Sequence, residues 1–180
     1  MPLPKEELYT TDFIYNLPDG ERAELIDGQI YYMAPPTFIH QYLNTKLVST
    51  IDQYIVSNKG NCVVLTAPFA VFLNKDNKTY VEPDISVICD KSKLNNKGCM
   101  GAPDWIIEIV SASSKRMDYL TKLLKYANSG IREYWIVDPK KQRIIVHNFE
   151  NETLDEYTFD DTVKAGIYED LYIDFSSISN

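Results

Sequence analysis

Trp105-Ile106-Ile107-Glu108-Ile109-Val110, with Ile131-Arg132-Glu133-Tyr134-Trp135-Ile136-Val137 twenty residues further on, is the stretch that decides the fold. Both runs are largely apolar, the mark of strands buried on two faces of a sheet. Between them Ser113-Ser114 offers a helix N-cap and Gly130 a stop, so Ser113 to Asn128 reads as a helix. Strand, helix and strand in that order predict a right-handed βαβ unit with a parallel pair. Downstream, Asp138-Pro139 ends the second run, and Arg143 to Phe149 with Thr153 to Phe159 predicts a hairpin. Upstream, Asp84 to Cys89 reads as a strand, followed by a loop rich in Lys, Asn and Gly from Asp90 to Gly101. Cys62 to Leu73 reads as a strand or strand pair bent at Pro68. From Thr37 to Ser57, apolar residues recur at helical spacing. Ala23 to Met33 is a hairpin turning at Asp27-Gly28, both of which tolerate φ > 0, and Glu6 to Asn16 reads as a short helix. The expected fold class is α/β (α+β): a mixed central sheet flanked by helices, with an N-terminal hairpin. Residues 1–180 are expected to form a single domain ending in an acidic segment, 149–180.

Composition excludes several classes. With 180 residues, 44% hydrophobic and 24% charged, the chain can bury a real core. The longest strongly apolar stretch, Cys62 to Leu73, is far short of the roughly 20 residues a membrane helix needs. Met1-Pro2-Leu3-Pro4-Lys5 has no apolar run behind its charge, so no secretory signal is expected. Cys62, Cys89 and Cys99 form an odd, widely spaced set without CxxC, which predicts reduced thiols in a cytoplasmic protein and no cysteine zinc site. GxxxxGK[ST], GxGxxG and GxSxG are all absent, so nucleotide-driven motors, dehydrogenases and α/β-hydrolases have no support. The net charge of −8 is uneven: residues 149–180 hold nine acids against Lys164, while Ser113 to Arg143 holds eight basic residues and three acids. Whole-chain charge governs solubility and steering more than a local site.

Two carboxylates stand where carboxylates are costly. Glu108 lies inside an apolar strand, and a buried carboxylate must be paired, protonated or bound to a cation. Asp84 follows Pro83 into another strand, with Glu82 on its face, since residues two apart on a strand point the same way. Two acids on neighbouring strands offer the oxygen donors that Mg²⁺ or Mn²⁺ prefers. A strand end open to solvent, or a salt bridge, explains Glu108 as well.

Pro83-Asp84, then Glu108-Ile109-Val110, then a helix with Asp118 and Lys122, resembles the PD-(D/E)XK phosphodiesterase superfamily. The fuller set resembles the Uma-type bacterial family of restriction-endonuclease-like proteins: Glu24-Leu25-Ile26-Asp27-Gly28, His40, Glu82-Pro83-Asp84, Ala102-Pro103-Asp104, Glu108-Ile109-Val110-Ser111, Asp118, Lys122, Tyr126, Gly130-Ile131 and Glu133 to Pro139, in order across about residues 7 to 148. The resemblance implies a restriction-endonuclease-like core in which Asp84 and Glu108, with Ile109 beside them, hold a divalent metal. It departs at Val110, where the superfamily has its lysine. Lys122 is the matching lysine of this family, and its implied task is to steady developing charge. Glu24 would be a third carboxylate and His40 a substrate contact or general base. The residues alone leave alternatives open. On a helical wheel Met117, Leu120, Leu124 and Ala127 form the buried stripe, which sends Lys115, Asp118, Lys122 and Lys125 to a solvated face. Glu24 also fits a solvated strand, and His40 a surface position. Tyr126, Tyr134 and Trp135 fit packing.

The expected function is metal-dependent hydrolysis of DNA phosphodiester bonds, with Mg²⁺ or Mn²⁺ as cofactor and a homodimer as the working unit. RNA or nucleotides are the neighbouring substrates. A non-catalytic nucleic-acid-binding or assembly module on the same fold is the alternative. From its charge alone, the acidic segment is expected to be a tail that guards the site by imitating DNA.

Overall fold

The computed structural model describes residues 7–74, 76–112, 114 and 117–178. Among these, the elements run α1 (Thr11–Tyr15), β1 (Ala23–Ile26), β2 (Gln29–Tyr32), α2 (Phe38–Ser57), β3 (Val63–Thr66), β4 (Val71–Phe72), β5 (Ile85–Ile88), β6 (Leu94–Asn95), β7 (Gly98–Met100) and β8 (Trp105–Ile109). A π-helical stretch, Met117–Lys122, then leads into α3 (Leu123–Ala127). Strands β9 (Glu133–Asp138), β10 (Arg143–Asn148), β11 (Thr153–Thr158), β12 (Thr162–Lys164) and β13 (Tyr172–Asp174) precede α4 (Phe175–Ile178).

The central sheet has six strands in the order β11-β10-β9-β8-β5-β3. Only β8 and β9 run parallel, Ile107 opposite Trp135, as a βαβ unit requires. The other neighbours are antiparallel, so the sheet is mixed as expected. The strand period of two sorts the core. Trp105, Ile107 and Ile109 of β8, Trp135 and Val137 of β9, and Ile85 and Val87 of β5 join Leu43, Leu47, Ile51 and Ile55 of α2 on one face. Ile106, Val110, Tyr134, Ile136 and Ile88 pack with Tyr126 on the other. Glu108 alternates with Ile107 and Ile109, which assigns it to this second face.

The N-terminal hairpin turns at Asp27-Gly28, with φ of 50° and 82°. Leu25 and Tyr80 exchange backbone hydrogen bonds of 2.7 Å in both directions, docking the hairpin beside the sheet.

Five expectations change. The first helix is α1 alone, and Glu6 lies outside the described residues. Residues 90–101 form β6 and β7, which join β4 in a small three-stranded sheet. The helix after β8 is shorter than Ser113 to Asn128 and opens as a π-helix; Ser113 and Lys115 lie outside the described residues. Cys62 and Cys89 form a disulfide, because the antiparallel register that sets Val63 opposite Ile88 sets them opposite next. Only Cys99 is free, so the cysteines do not point to a reducing compartment. Finally, the acidic segment is no tail: Val163, Ala165, Leu171, Ile173, Phe175 and Ile178 are buried in the α2-side core. No helix among the described residues is long and apolar enough to cross a membrane.

Candidate active site

Lys122 organises the site. Its ammonium is buried, the residue 4% exposed, and lies 2.8 Å from Glu108 Oε1, 2.9 Å from Glu24 Oε2 and 3.9 Å from Asp118 Oδ1. Glu108 Oε1 also accepts a hydrogen bond from the Tyr126 hydroxyl at 2.8 Å. Glu24, carried in by the docked hairpin, uses Oε1 to accept from the Glu82 amide at 2.9 Å. Asp84, just before β5, accepts from the Ile109 amide at 2.7 Å through Oδ2, and His40 Nε2 lies 3.1 Å from the same oxygen. The Asp84 amide donates to Glu108 Oε2 at 3.4 Å. All five predicted site side chains, Glu24, His40, Asp84, Glu108 and Lys122, line one cavity of about 380 Å³, together with Ile109.

Each position has a local cause. Thr37 caps α2 by accepting from the His40 amide, which starts the helix so that His40 and Asn44 face β5. The Asn44 amide group donates to the Asp84 carbonyl at 3.2 Å and its oxygen accepts from the Thr66 hydroxyl at 3.0 Å. Asp118, Lys122 and Tyr126 stand four residues apart along the π-helix and α3, so they share one face.

That face is opposite to the one the helical wheel selects. Asp118 and Lys122 are buried, whereas Leu120 and Leu124 are exposed. The wheel ranks faces by hydrophobicity. Here the polar face has ionic partners on β8 and the hairpin, and leaving those charges unpaired would cost more than exposing two leucines. Glu24 and His40 are likewise buried rather than solvated. Asp118, placed by the wheel on a solvated face, and Tyr126, expected only to pack, belong to the site. The polar spacing Asp118, Lys122, Tyr126 was the signal that could have shown it.

Burial dominates the electrostatics. It raises the Glu108 carboxyl well above the ordinary range; Lys122 pulls it down, and Asp84, Asp118 and Glu24 push it further up. Burial would discharge Lys122, but Glu108, Glu24 and Asp118 outweigh it and hold the ammonium charged. Burial raises Asp118 from 3.8 to about 6, against the pull of Lys122. Hydrogen bonding from the Ser114 side chain adds a smaller pull in the same direction as Lys122. For His40, burial is outweighed by the hydrogen bond and charge of Asp84, which raise its pKa. Glu82, also at the cavity, pairs with Arg22 and accepts from the Tyr80 hydroxyl.

The family model of Uma2, described as "Putative restriction endonuclease", matches residues 7–172. This chain belongs to the Uma2 family. It is 25% identical over 130 residues to "Uncharacterized protein slr1290" of Synechocystis sp. (strain ATCC 27184 / PCC 6803 / Kazusa), a match covering 71% of this chain and 66% of that protein's length. Its fold is that of "a putative nuclease belonging to DUF820" from Anabaena variabilis ATCC 29413. That crystal structure superposes with a TM-score of 0.76 at 22% identity, covering 95% of this chain and 99% of the other. The restriction-endonuclease-like core expected from the Asp84 and Glu108 motifs is thus present in this Uma2-family chain.

Among the described residues, five carboxylates line the cavity (Glu24, Glu82, Asp84, Glu108 and Asp118) against the two cations Arg22 and Lys122, with His40 as a third, titratable one. Both fixed cations are already bound to carboxylates. Among the described residues, no three His, Cys, Asp or Glu side chains converge into a metal cage of their own. A cation here would draw further oxygens from the main chain, water or substrate.

Proposed function

We propose that the chain is a metal-dependent phosphodiesterase that hydrolyses DNA. The family description supports the reaction class. The observation that carries the reading is the buried excess of carboxylates over cations around Lys122, on the floor of an open cavity. Such a site repels a phosphate unless a cation intervenes. The donor set suits Mg²⁺ or Mn²⁺: hard carboxylate oxygens, with the buried Asp118 carboxylate, 3.9 Å from the Lys122 ammonium, adding negative charge nearby. Asp84 and Glu108, with the main chain at Ile109, would hold the ion. When bound, it would polarise the phosphate and acidify a water.

The chain's own residues do the rest. Lys122 fixes Glu24 and Glu108 and supplies positive charge where the phosphorane charge develops. His40 holds Asp84 in orientation from the cavity side, and Tyr126 holds Glu108 from below. Residues of β2 and α2 form part of the cavity wall.

Calorimetric titration of Mn²⁺, run beside cleavage of a DNA pool, tests this. Wild type should bind Mn²⁺ and cut, while Asp84→Asn and Glu108→Gln should each lose about a hundredfold or more in rate. A second reading, a DNA-binding module without hydrolysis, draws on Val110 in the motif-lysine position and on the engagement of Lys122 with two carboxylates. DNA binding with neither Mn²⁺ uptake nor cleavage would favour it.

A further inference from the structure

Beside the cavity mouth lies an aromatic shelf that the ion-pair chemistry does not use. Tyr32, at the end of β2, lines the cavity yet is 63% exposed. Phe38, the first residue of α2, is 82% exposed and stacks on Tyr42 with ring centroids 5.9 Å apart. Lys46 lies over the other ring of that pair, 5.4 Å from the Tyr42 centroid. Phe38, Tyr42 and Lys46 are four residues apart, so they form one stripe on α2, while Leu43, Leu47 and Ile51 of the same helix face the core. Pro36 and His40, on either side of Phe38 in the chain, both line the cavity. Phe38 thus stands in the chain between two residues of the cavity wall, which places the α2 stripe next to the cavity.

We infer that this shelf binds the bases of single-stranded DNA and feeds the adjoining phosphodiester into the Asp84 and Glu108 cavity. The inference rests on the phosphodiesterase reading and narrows its substrate. Charge favours a single strand over a duplex. Duplex DNA carries a dense row of phosphates and is held by matching rows of Lys and Arg, but among the described residues the fixed cations lining this cavity, Arg22 and Lys122, are bound to carboxylates. A single strand can instead be held by stacking, which accepts any base because every base has a π-face, with an occasional cation for the backbone. Tyr32 and Phe38 supply the exposed faces, Tyr42 backs Phe38, and Lys46 supplies the cation.

Fluorescence anisotropy in Ca²⁺ tests the inference with labelled DNA of about twelve nucleotides, a span that one such groove accommodates. The probes are a single strand, the same sequence as a duplex, and an abasic strand with the same phosphates. The single strand should bind more tightly than the duplex or the abasic strand. Tyr32→Ala and Phe38→Ala, both at exposed positions, should each weaken the single strand on the order of tenfold and leave the abasic strand unmoved. Equal binding of the abasic strand, preference for the duplex, or unaltered affinity in both variants would overturn it. So would an RNA strand of the same sequence binding more tightly than the DNA, or a wild-type dimer in sedimentation that Phe38→Ala dissociates. Adding Mn²⁺ to the same samples separates the two readings. Cleavage that persists with indifferent variants sinks the shelf alone, and variant-sensitive binding without cleavage sinks the phosphodiesterase alone.

Discussion

Glu108 was legible in the sequence because a carboxylate amid Trp105, Ile106, Ile107 and Ile109 has to be satisfied by something. Its partners were not. Lys122 sits on a helix whose exposed leucines outweigh it in any hydrophobic count, and Glu24 arrives through a hairpin whose docking depends on the distant Tyr80. Removing Lys122 should therefore expose what it balances. Lys122→Met leaves Glu24 and Glu108 buried without their cation and should cost about 3–5 kcal/mol in urea unfolding at pH 7. A cost below about 1 kcal/mol would mean the carboxylates are held by other groups. Asp118 gives the opposite sign. Its carboxyl is raised from 3.8 to about 6, so the folded state binds its proton more tightly than the unfolded state. Stability on this account falls as pH rises from about 4 to about 6, by about 3 kcal/mol in all. Asp118→Asn, which has no such titration, should be more stable than wild type at pH 7 by up to that amount, with the gap closing towards pH 4. A variant less stable than wild type at pH 7 would show that the Asp118 charge stabilises the fold.

The elements divide by how local their causes are. The hairpin at Asp27-Gly28, the capped helix after Thr37 and the parallel pair β8–β9 rest on turn chemistry, capping and period, and all three were readable. The small sheet β4-β7-β6 was not, because two- and three-residue strands carry no alternation. It depends on Gly98, at φ 138°, where a Cβ would stand 2.2 Å from the Ala70 carbonyl oxygen. The π-helix with α3 is the informative failure, since its polar face was chosen by partners elsewhere in the fold. Leu120 and Leu124, 56% and 65% exposed, then carry little of the stability. Leu120→Gln with Leu124→Gln should move the urea midpoint by no more than about half a kcal/mol equivalent per site. Were these leucines the buried stripe of the wheel, truncating either would cost about 2–5 kcal/mol, so one denaturation series decides which face is inside.

At the scale of the whole molecule, net charge misleads about the C-terminal segment. Its nine acids suggested a solvated tail, yet none of them lines the cavity, and the apolar residues between them complete the core over Trp135 and α2. Glu133 anchors the segment from inside: Trp135 donates to one of its oxygens, and the Ile167 amide donates to the other at 2.9 Å. Gly166 passes so close that a Cβ would lie 2.4 Å from Asn148 Nδ2 and 2.6 Å from Glu133 Oε2. Deleting residues 150–180 thus removes β11 and, among the described residues, seven buried core side chains beyond it, and says nothing about whether those acids imitate DNA. The truncated chain should show no cooperative thermal transition. Because that result alone does not separate docking from general disruption, Gly166→Ala is the sharper probe. Its methyl must displace a buried, hydrogen-bonded carboxylate, which should cost about 1–3 kcal/mol while leaving Mn²⁺ affinity intact, since Glu133 is not among the cavity residues. Unchanged stability in Gly166→Ala would refute the docking of this segment on Glu133, and a loss of Mn²⁺ affinity would mean that the strand pair β8–β9 transmits the disturbance to Glu108.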